Sequence, residues 1–359
     1  LNAPRITGLI DTCNQGRFIE PAIESVLAQG LHPEELEILV VDDGSTDDTP
    51  ARVAGFGRRV RYLRKANGGQ ASALNLGFAE ARGEIIALLD GDDEWLPGKL
   101  LRVTKAFEQN PEAGMVYHPF EYHDEVRNVA WRDAAFPAVS GRVPESAEAL
   151  LRFGDVSTSG MAFRRAAVGR LRPIPEELVI LADGYLAYLV IFVAPVVALP
   201  EHLTRYRIHG DNCCAFEGSD GARVERRAAC SAAVAASVRG WLAAGGLDAR
   251  PEVAAYIRRH ELVAQMVRHQ SRGAGRWEFF QHLWAQQRLY APIWPARYRA
   301  FRKLAAALAL VTGYRGYHAL QRASRRLTRA MAPGRSVLSA LGGNGTPEQA
   351  PWQARPIGP

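Results

Sequence analysis

The segment Gly83-Glu84-Ile85-Ile86-Ala87-Leu88-Leu89-Asp90-Gly91-Asp92-Asp93-Glu94-Trp95 decides the fold. Its apolar run, bounded by Gly83 and stopped by three carboxylates, reads as a buried strand. A hydrophobic core does not accommodate three adjacent acids, because each buried unpaired charge costs several kcal/mol. At the carboxyl end of a strand, in the crevice of an open α/β sheet, the same acids can converge on a bound cation. Asp90 and Asp92 lie two positions apart on extended chain and point the same way. They can share one hard metal ion and the diphosphate it carries. The plain alternative is an acidic turn that caps a helix starting near Pro97, with Asp93 as the cap.

The neighbouring segments repeat the arrangement. Ile6–Ile10 is a short apolar strand, followed by the turn-rich Asp11-Thr12-Cys13-Asn14-Gln15-Gly16. From Phe18 to Gln29, apolar residues at Phe18, Ala22, Ile23, Val26 and Leu27 have helical spacing. Leu36–Val41 is a second buried strand ending in Asp42-Asp43-Gly44-Ser45-Thr46-Asp47, where one of the first two acids is expected to do turn and cap work. Val60–Leu63 is a third strand, followed by Asn67-Gly68-Gly69 and a helix from about Gln70 to Ala81. Strands alternating with helices predict an α/β fold with a mainly parallel sheet and right-handed crossovers. Two strands end in acids on one edge, where such sheets bind ligands, commonly nucleotides. No Gly-x-Gly-x-x-Gly follows the first strand and no Walker-type Gly-Lys-Ser/Thr occurs, which disfavours a dinucleotide oxidoreductase and a P-loop ATPase.

Further on, Met161-Ala162-Phe163 is expected as a strand crossing the far side of the sheet. Ile180-Leu181-Ala182-Asp183-Gly184-Tyr185 opens an apolar helix, whose Asp183 has helix capping as its plain role. His209, in Tyr206-Arg207-Ile208-His209-Gly210-Asp211-Asn212, is on its own more simply a structural residue. The chain of 359 residues is 47% hydrophobic and 23% charged, an ordinary globular composition. The four cysteines, Cys13, Cys213, Cys214 and Cys230, have no Cys-x-x-Cys spacing, and a reducing cytoplasmic setting is expected. No secretory signal and no bilayer-length apolar run is seen.

Taken together, residues 5–217 resemble the GT-A-type glycosyltransferases of inverting family two, which use nucleotide-diphosphate sugars. The matching segments run in family order: Cys13 to Ile19, Val40 to Asp47, Asn67-Gly68-Gly69, Asn75-Leu76-Gly77, Ala81 to Glu84, Asp90-Gly91-Asp92-Asp93 with Trp95-Leu96-Pro97, and Tyr206 to Asn212. The resemblance implies a Rossmann-like GT-A domain over residues 1–218. It implies that Asp43 accepts from the nucleobase, with Asp11 and Thr12 in the same wall, and that Asn67, Gly68 and Gly69 form a loop near the donor. Asp90 and Gly91 would meet the ribose or metal. Asp92 would ligate Mn²⁺ or Mg²⁺, His209 would approach the metal or diphosphate, and Asp183 would take the acceptor's proton. A UDP-sugar is the first expected donor, and a carbohydrate or lipid-linked molecule the expected acceptor, in surface polysaccharide or glycolipid synthesis. Asp11-Thr12-Cys13 stands where the family usually has Pro-x-Tyr or Pro-x-Phe, and Ala182 stands where a Glu commonly precedes the base. A nucleotide-binding scaffold that has lost transfer, and a nucleotidyltransferase, are the alternatives.

Charge divides the chain. Residues 1–221 carry 22 Lys and Arg against 32 Asp and Glu, whereas residues 222–359 carry 22 against 6. Residues 219–332 read as Ala- and Arg-rich helices interrupted near Gly245-Gly246, Gly273–Gly275 and Pro292–Pro295, with a disordered tail from Pro333. Tyr298, Phe301, Leu304, Ala305 and Leu308 form one apolar face; Tyr317, Leu320, Ser324, Leu327 and Met331 form another. Two readings stand: peripheral contact with anionic lipid on the inner face of the membrane, or packing on the catalytic domain with solvated arginines. Nucleic acid is disfavoured, because no recognised motif accompanies the charge.

Overall fold

The computed structural model describes residues 3–132, 136, 138–212 and 221–331, excepting the side chains of residues 297, 315 and 318–331. Cys213, Cys214 and the expected disordered tail lie outside the described residues. The chain opens with β1 (Ile6–Thr12), α1 (Gly16–Leu27), β2 (Leu36–Asp42), α2 (Thr49–Ala54), β3 (Arg61–Arg64), α3 (Gln70–Glu80) and β4 (Ile85–Asp90). It continues with β5 (Glu94–Trp95), α4 (Lys99–Gln109), β6 (Met115–Tyr117), β7 (Phe120–Asp124), β8 (Val129–Arg132) and α5 (Ala147–Arg152). Then come β9 (Met161–Arg164), α6 (Arg165–Gly169), α7 (Ala182–Val193), β10 (Val196–Ala198) and β11 (Thr204–Ile208). The basic half forms α8 (Gly221–Ala244), α9 (Pro251–Arg272), α10 (Arg276–Tyr290) and α11 (Ala296–Met331).

A seven-stranded sheet has the order β10-β6-β9-β4-β1-β2-β3. β1 pairs in parallel with β2 and β4, and β2 with β3, so their carboxyl ends share one edge. The apolar run of β4 alternates between two cores. Ile86 and Leu88 join Leu9 and Leu39 on one face; Ile85, Ala87 and Leu89 join Ile6, Ile10 and Val40 on the other. Burying both faces favours a continuous apolar strand, each Leu or Ile contributing about 1.5–3 kcal/mol. In α1 the stripe Phe18, Ala22, Ile23 and Val26 packs into the second of these cores or beside it.

Met161–Phe163 departs from expectation. The strand does not cross the far side: β9 lies between β4 and β6, antiparallel to both. Met161, Ala162 and Phe163 are wholly buried, and a strand apolar on both faces is stable only with neighbours on both sides. Its reversed direction brings its amino end, preceded by the turn Thr158–Gly160, to the edge where β1, β2 and β4 finish. A smaller sheet, β5-β11-β7-β8, places His209 just beyond the end of β11.

The basic helices share the main core. Val234, Val238 and Leu242 of α8 and Val253, Tyr256 and Ile257 of α9 cluster with Leu186, Leu189 and Val190 of α7. Arg259 of α9 is buried and donates to the carbonyls of Leu150 and Phe153. The predicted apolar face of α11 divides: Tyr298 turns inward with Arg302, Ala306, Ala309 and Tyr317, while Phe301, Leu304 and Leu308 are exposed. The inward seam is chosen by Arg302, whose guanidinium reaches Tyr317 Oη and Gln286 Oε1. The second predicted face, from residue 318 on, lies outside the described side chains. Among the described residues no helix is long and apolar enough to cross a membrane.

Candidate active site

The site forms where β1, β2 and β4 end. Asp11 and Asp90 are register partners on adjacent strands, and Gly91 N–H donates to the Asp11 carbonyl. Gly91 has no room for a side chain: a Cβ would lie 2.4 Å from Gln15 Oε1 and 2.8 Å from Thr12 Oγ1. Thr12 itself donates to Gln15 Oε1 at 2.9 Å.

Asp90, Asp92 and Asp93 each present a carboxylate oxygen, and the three lie within 4.8 Å of one another. Asp93 N–H donates to the Asp90 carbonyl, closing the turn that aims them together. Burial and the neighbouring acids Asp11, Asp93, Asp92 and Asp183 hold Asp90 well above the usual carboxylate range. Asp93 is likewise raised, mainly by burial, and one of its oxygens has no hydrogen-bond partner. Asp11, also with an unpartnered buried oxygen, is pushed up to about 7 by burial and then by Asp92, Asp183 and Asp43. Crowded acids with orphaned oxygens suit a divalent cation, which would satisfy them and reverse the repulsion. His209 Nε2 sits 3.1 Å from Asp92 Oδ2. Its ring rests on Phe18, 4.3 Å between centroids, so α1 positions it.

Asp42 and Asp43 divide their labour. Asp42 is fully buried, accepting from Ser45 N–H at 2.7 Å and from Tyr62 Oη, and is the turn residue of the pair. Asp43 accepts from Lys65 Nζ at 2.8 Å and from the N–H groups of Gly68 (2.9 Å) and Gly69 (2.7 Å). The carboxylate read as a nucleobase acceptor therefore also holds the Asn67–Gly69 loop. Asn67 Nδ2 donates to the Asp43 carbonyl at 2.9 Å and to Cys13 Sγ at 3.3 Å. Gly69 needs to be glycine, with φ of +85° and a Cβ position 2.5 Å from Val179 Cα.

Asp183 lies in the first turn of α7. It accepts from Gly184 N–H at 2.8 Å and Thr158 N–H at 3.2 Å, and is pushed up to about 6 by burial, against the pull of those donors. Its charge reaches both Asp11 and Asp90. The eleven residues expected from the sequence thus gather at one sheet edge. The structure adds others. Ser159 accepts from Asp90 N–H, and buried Lys99 donates to the Ser159 carbonyl and to Thr204 Oγ1. Gln70 accepts from Ala182 N–H and donates to Thr158 Oγ1, both at 3.0 Å. Lys65 and Gln70 flank Asn67-Gly68-Gly69, the only signal that could have singled them out.

Comparison with known proteins agrees with this geometry. Residues 9–172 match the profile of glycosyl transferase family 2. The matched segment, just under half of the chain, is similar to that family. An uncharacterized glycosyltransferase of Nostoc sp. is 35% identical over 217 residues, covering 58% of this chain and 66% of the relative. An uncharacterized protein of Mycobacterium bovis is 30% identical over 204 residues, covering 55% of this chain and 56% of the relative. The chain therefore spans between about half and two thirds of these relatives. Among solved structures, S. aureus TarS 1–349 in complex with UDP-GlcNAc aligns with TM-score 0.57 at 17% identity, covering 89% of this chain and 92% of that one. The mannosyltransferase PcManGT of Pyrobaculum calidifontis, in complex with GDP-Man and Mn²⁺, aligns with TM-score 0.53 at 21% identity, covering 89% and 83%. At these identities the likeness concerns the fold, which is GT-A.

Proposed function

We propose that this chain is a metal-dependent inverting glycosyltransferase, moving a sugar from a nucleoside-diphosphate donor to an acceptor hydroxyl. The observation that carries the reading is the meeting of Asp90, Asp92 and Asp93 within 4.8 Å at the end of β4. Asp90 and Asp92 would hold Mn²⁺ or Mg²⁺, with His209 beside Asp92. When bound, the ion supplies charge neutralisation to the departing diphosphate. Asp11, Thr12 and Asp43 form the wall for the nucleoside, and Asn67, Gly68 and Gly69 the loop over it.

Asp183 would take the proton of the acceptor hydroxyl as it attacks. An acid pushed up to about 6 is ionised near neutrality yet basic enough to accept a proton. One base and no covalent intermediate give inversion at the anomeric carbon. The donor is a UDP-sugar by first choice; UDP-GlcNAc and GDP-Man in the two structural neighbours are the nucleotides to compare. The acceptor is a carbohydrate or lipid-linked molecule of the cell surface, met on the cytoplasmic face of the membrane. Residues 1–218 form the catalytic part and residues 219–332 a basic helical extension.

Calorimetric titration with UDP and GDP, with Mn²⁺, with Mg²⁺ and then with chelator, tests this. Metal-dependent binding of one nucleotide is expected. Folded protein that binds neither would leave a scaffold without a donor site and overturn the proposal.

A further inference from the structure

Six of the eleven large apolar side chains left exposed among the described residues lie on α10 and α11. They form two ridges. On α10, Trp277, Phe280 and Trp284 stack in file, with centroids 5.3 and 5.8 Å apart and planes 23° apart at each step. Trp277 is 62% exposed and Trp284 40%. These rings line an open cleft of about 670 Å³ together with Arg258 of α9, Gln281 and Arg288. On α11, Phe301, Leu304, Leu308 and Val311 recur at helical spacing and are all exposed.

Neither ridge is a misplaced core face. α10 already buries Phe279, Leu283 and Tyr290, and α11 already buries Tyr298, Ala306, Ala309 and Tyr317. A helix apolar on two sides needs a second apolar neighbour. The charge on these two helices is one-sided: their sequences hold 11 Lys and Arg against one acid, the exposed Glu278. Arg258 is shared with Glu261 at 3.0 Å, and Arg288 and exposed Lys303 add positive charge on the two helices.

We propose that the cleft face of α10, with its file of aromatic rings, docks on an anionic phospholipid bilayer. Trp277 and Trp284 enter the headgroup layer, where an indole with its single N–H is well placed, and Phe280 fills the space between them. Arg258 and Arg288, which line the cleft with these rings, meet lipid phosphates. A bilayer fits better than a folded protein partner, because the rings line an open cleft that two arginines share. No described helix can span the membrane, so the attachment is peripheral. The setting rests on the membrane-face reading above; the location rests on these side chains alone.

The test is flotation of the full chain with phosphatidylcholine vesicles, with and without phosphatidylglycerol. Binding is expected only with phosphatidylglycerol, weakening as salt rises. Trp277→Ser with Trp284→Ser should weaken it at least about tenfold. Arg258→Gln and Arg288→Gln should weaken it about fivefold each, whereas Leu304→Ser with Leu308→Ser, on the other side of the hairpin, should leave it unchanged. All these residues are at the surface, so thermal unfolding and nucleotide binding should stay at wild-type values. No flotation, or flotation undiminished in the Trp277→Ser, Trp284→Ser double variant, overturns the proposal. So does a wild-type dimer in size exclusion that the variants convert to monomer, which would make the face an interface between copies. Failure of nucleotide binding with flotation intact would count against the transferase reading and not against this surface.

Discussion

Replacing Asp183 by Asn puts the base assignment at risk in two independent ways. The carboxyl moves from an ordinary 3.8 to about 6 on folding, with burial as the main cause. Below about pH 4 both folded and unfolded chains hold the proton, so the stability supplied by the neutral form is fully present. That stability is lost as pH rises through about 6, where the folded chain must carry a charge it disfavours. The displacement corresponds to about 3 kcal/mol; the residue keeps some solvent contact, which trims the gain from Asn to about 2 kcal/mol. Relief of Asp11 and Asp90, both of which feel the Asp183 charge, acts in the same direction. In a thermal melt with chelator the variant should unfold several degrees above wild type at about pH 8. The two melts should converge at about pH 4. Transfer should fall by at least about a hundredfold while metal-dependent nucleotide binding is kept. A variant less stable than wild type at pH 8, or one retaining full transfer, would refute the reasoning.

Asp92→Asn should abolish the part of nucleotide affinity that depends on Mn²⁺ or Mg²⁺ and leave the chelator-resistant part, as calorimetry would show. Lys65→Met leaves the buried Asp43 carboxylate without its cation, costing about 2–3 kcal/mol in denaturant unfolding and loosening the Asn67–Gly69 loop. Nucleotide affinity should fall with it. Gly69→Ala forces a Cβ toward Val179 Cα at positive φ and should cost on the order of 2 kcal/mol, with α3 displaced from residues 178–179; unchanged stability would contradict that packing.

Local pattern carried much of this fold. The helix expected over Gln70–Ala81 forms over Gln70–Glu80, and the breaks expected near Gly245, Gly273 and Pro292 follow the ends of α8, α9 and α10. These depend on near neighbours in sequence and on glycine and proline. The position of β9 was not legible, because an apolar triplet reads the same at the centre of a sheet as at its side. The same holds for Arg302, a surface residue by composition that tertiary contacts to Gln286 and Tyr317 draw inside. In the site, the acids announced themselves by crowding. Lys65, Gln70, Lys99 and Ser159 did not, since each acts on partners 22 to 112 residues away along the chain.

Gln70 has a mechanical consequence. One end of its carboxamide holds the first turn of α7, which carries Asp183, and the other holds Thr158, which itself donates to Asp183. Gln70 directly follows Gly69, whose amide is tied to Asp43. With the roles proposed above, the nucleoside wall and the base would be two ends of one short lever, with no slack residue between loop and fulcrum. A nucleotide that shifts the loop shifts the proton acceptor with it. On that reading an acceptor hydroxyl would meet a correctly placed Asp183 only after the donor has arrived, and steady-state kinetics should show compulsory order with the donor first.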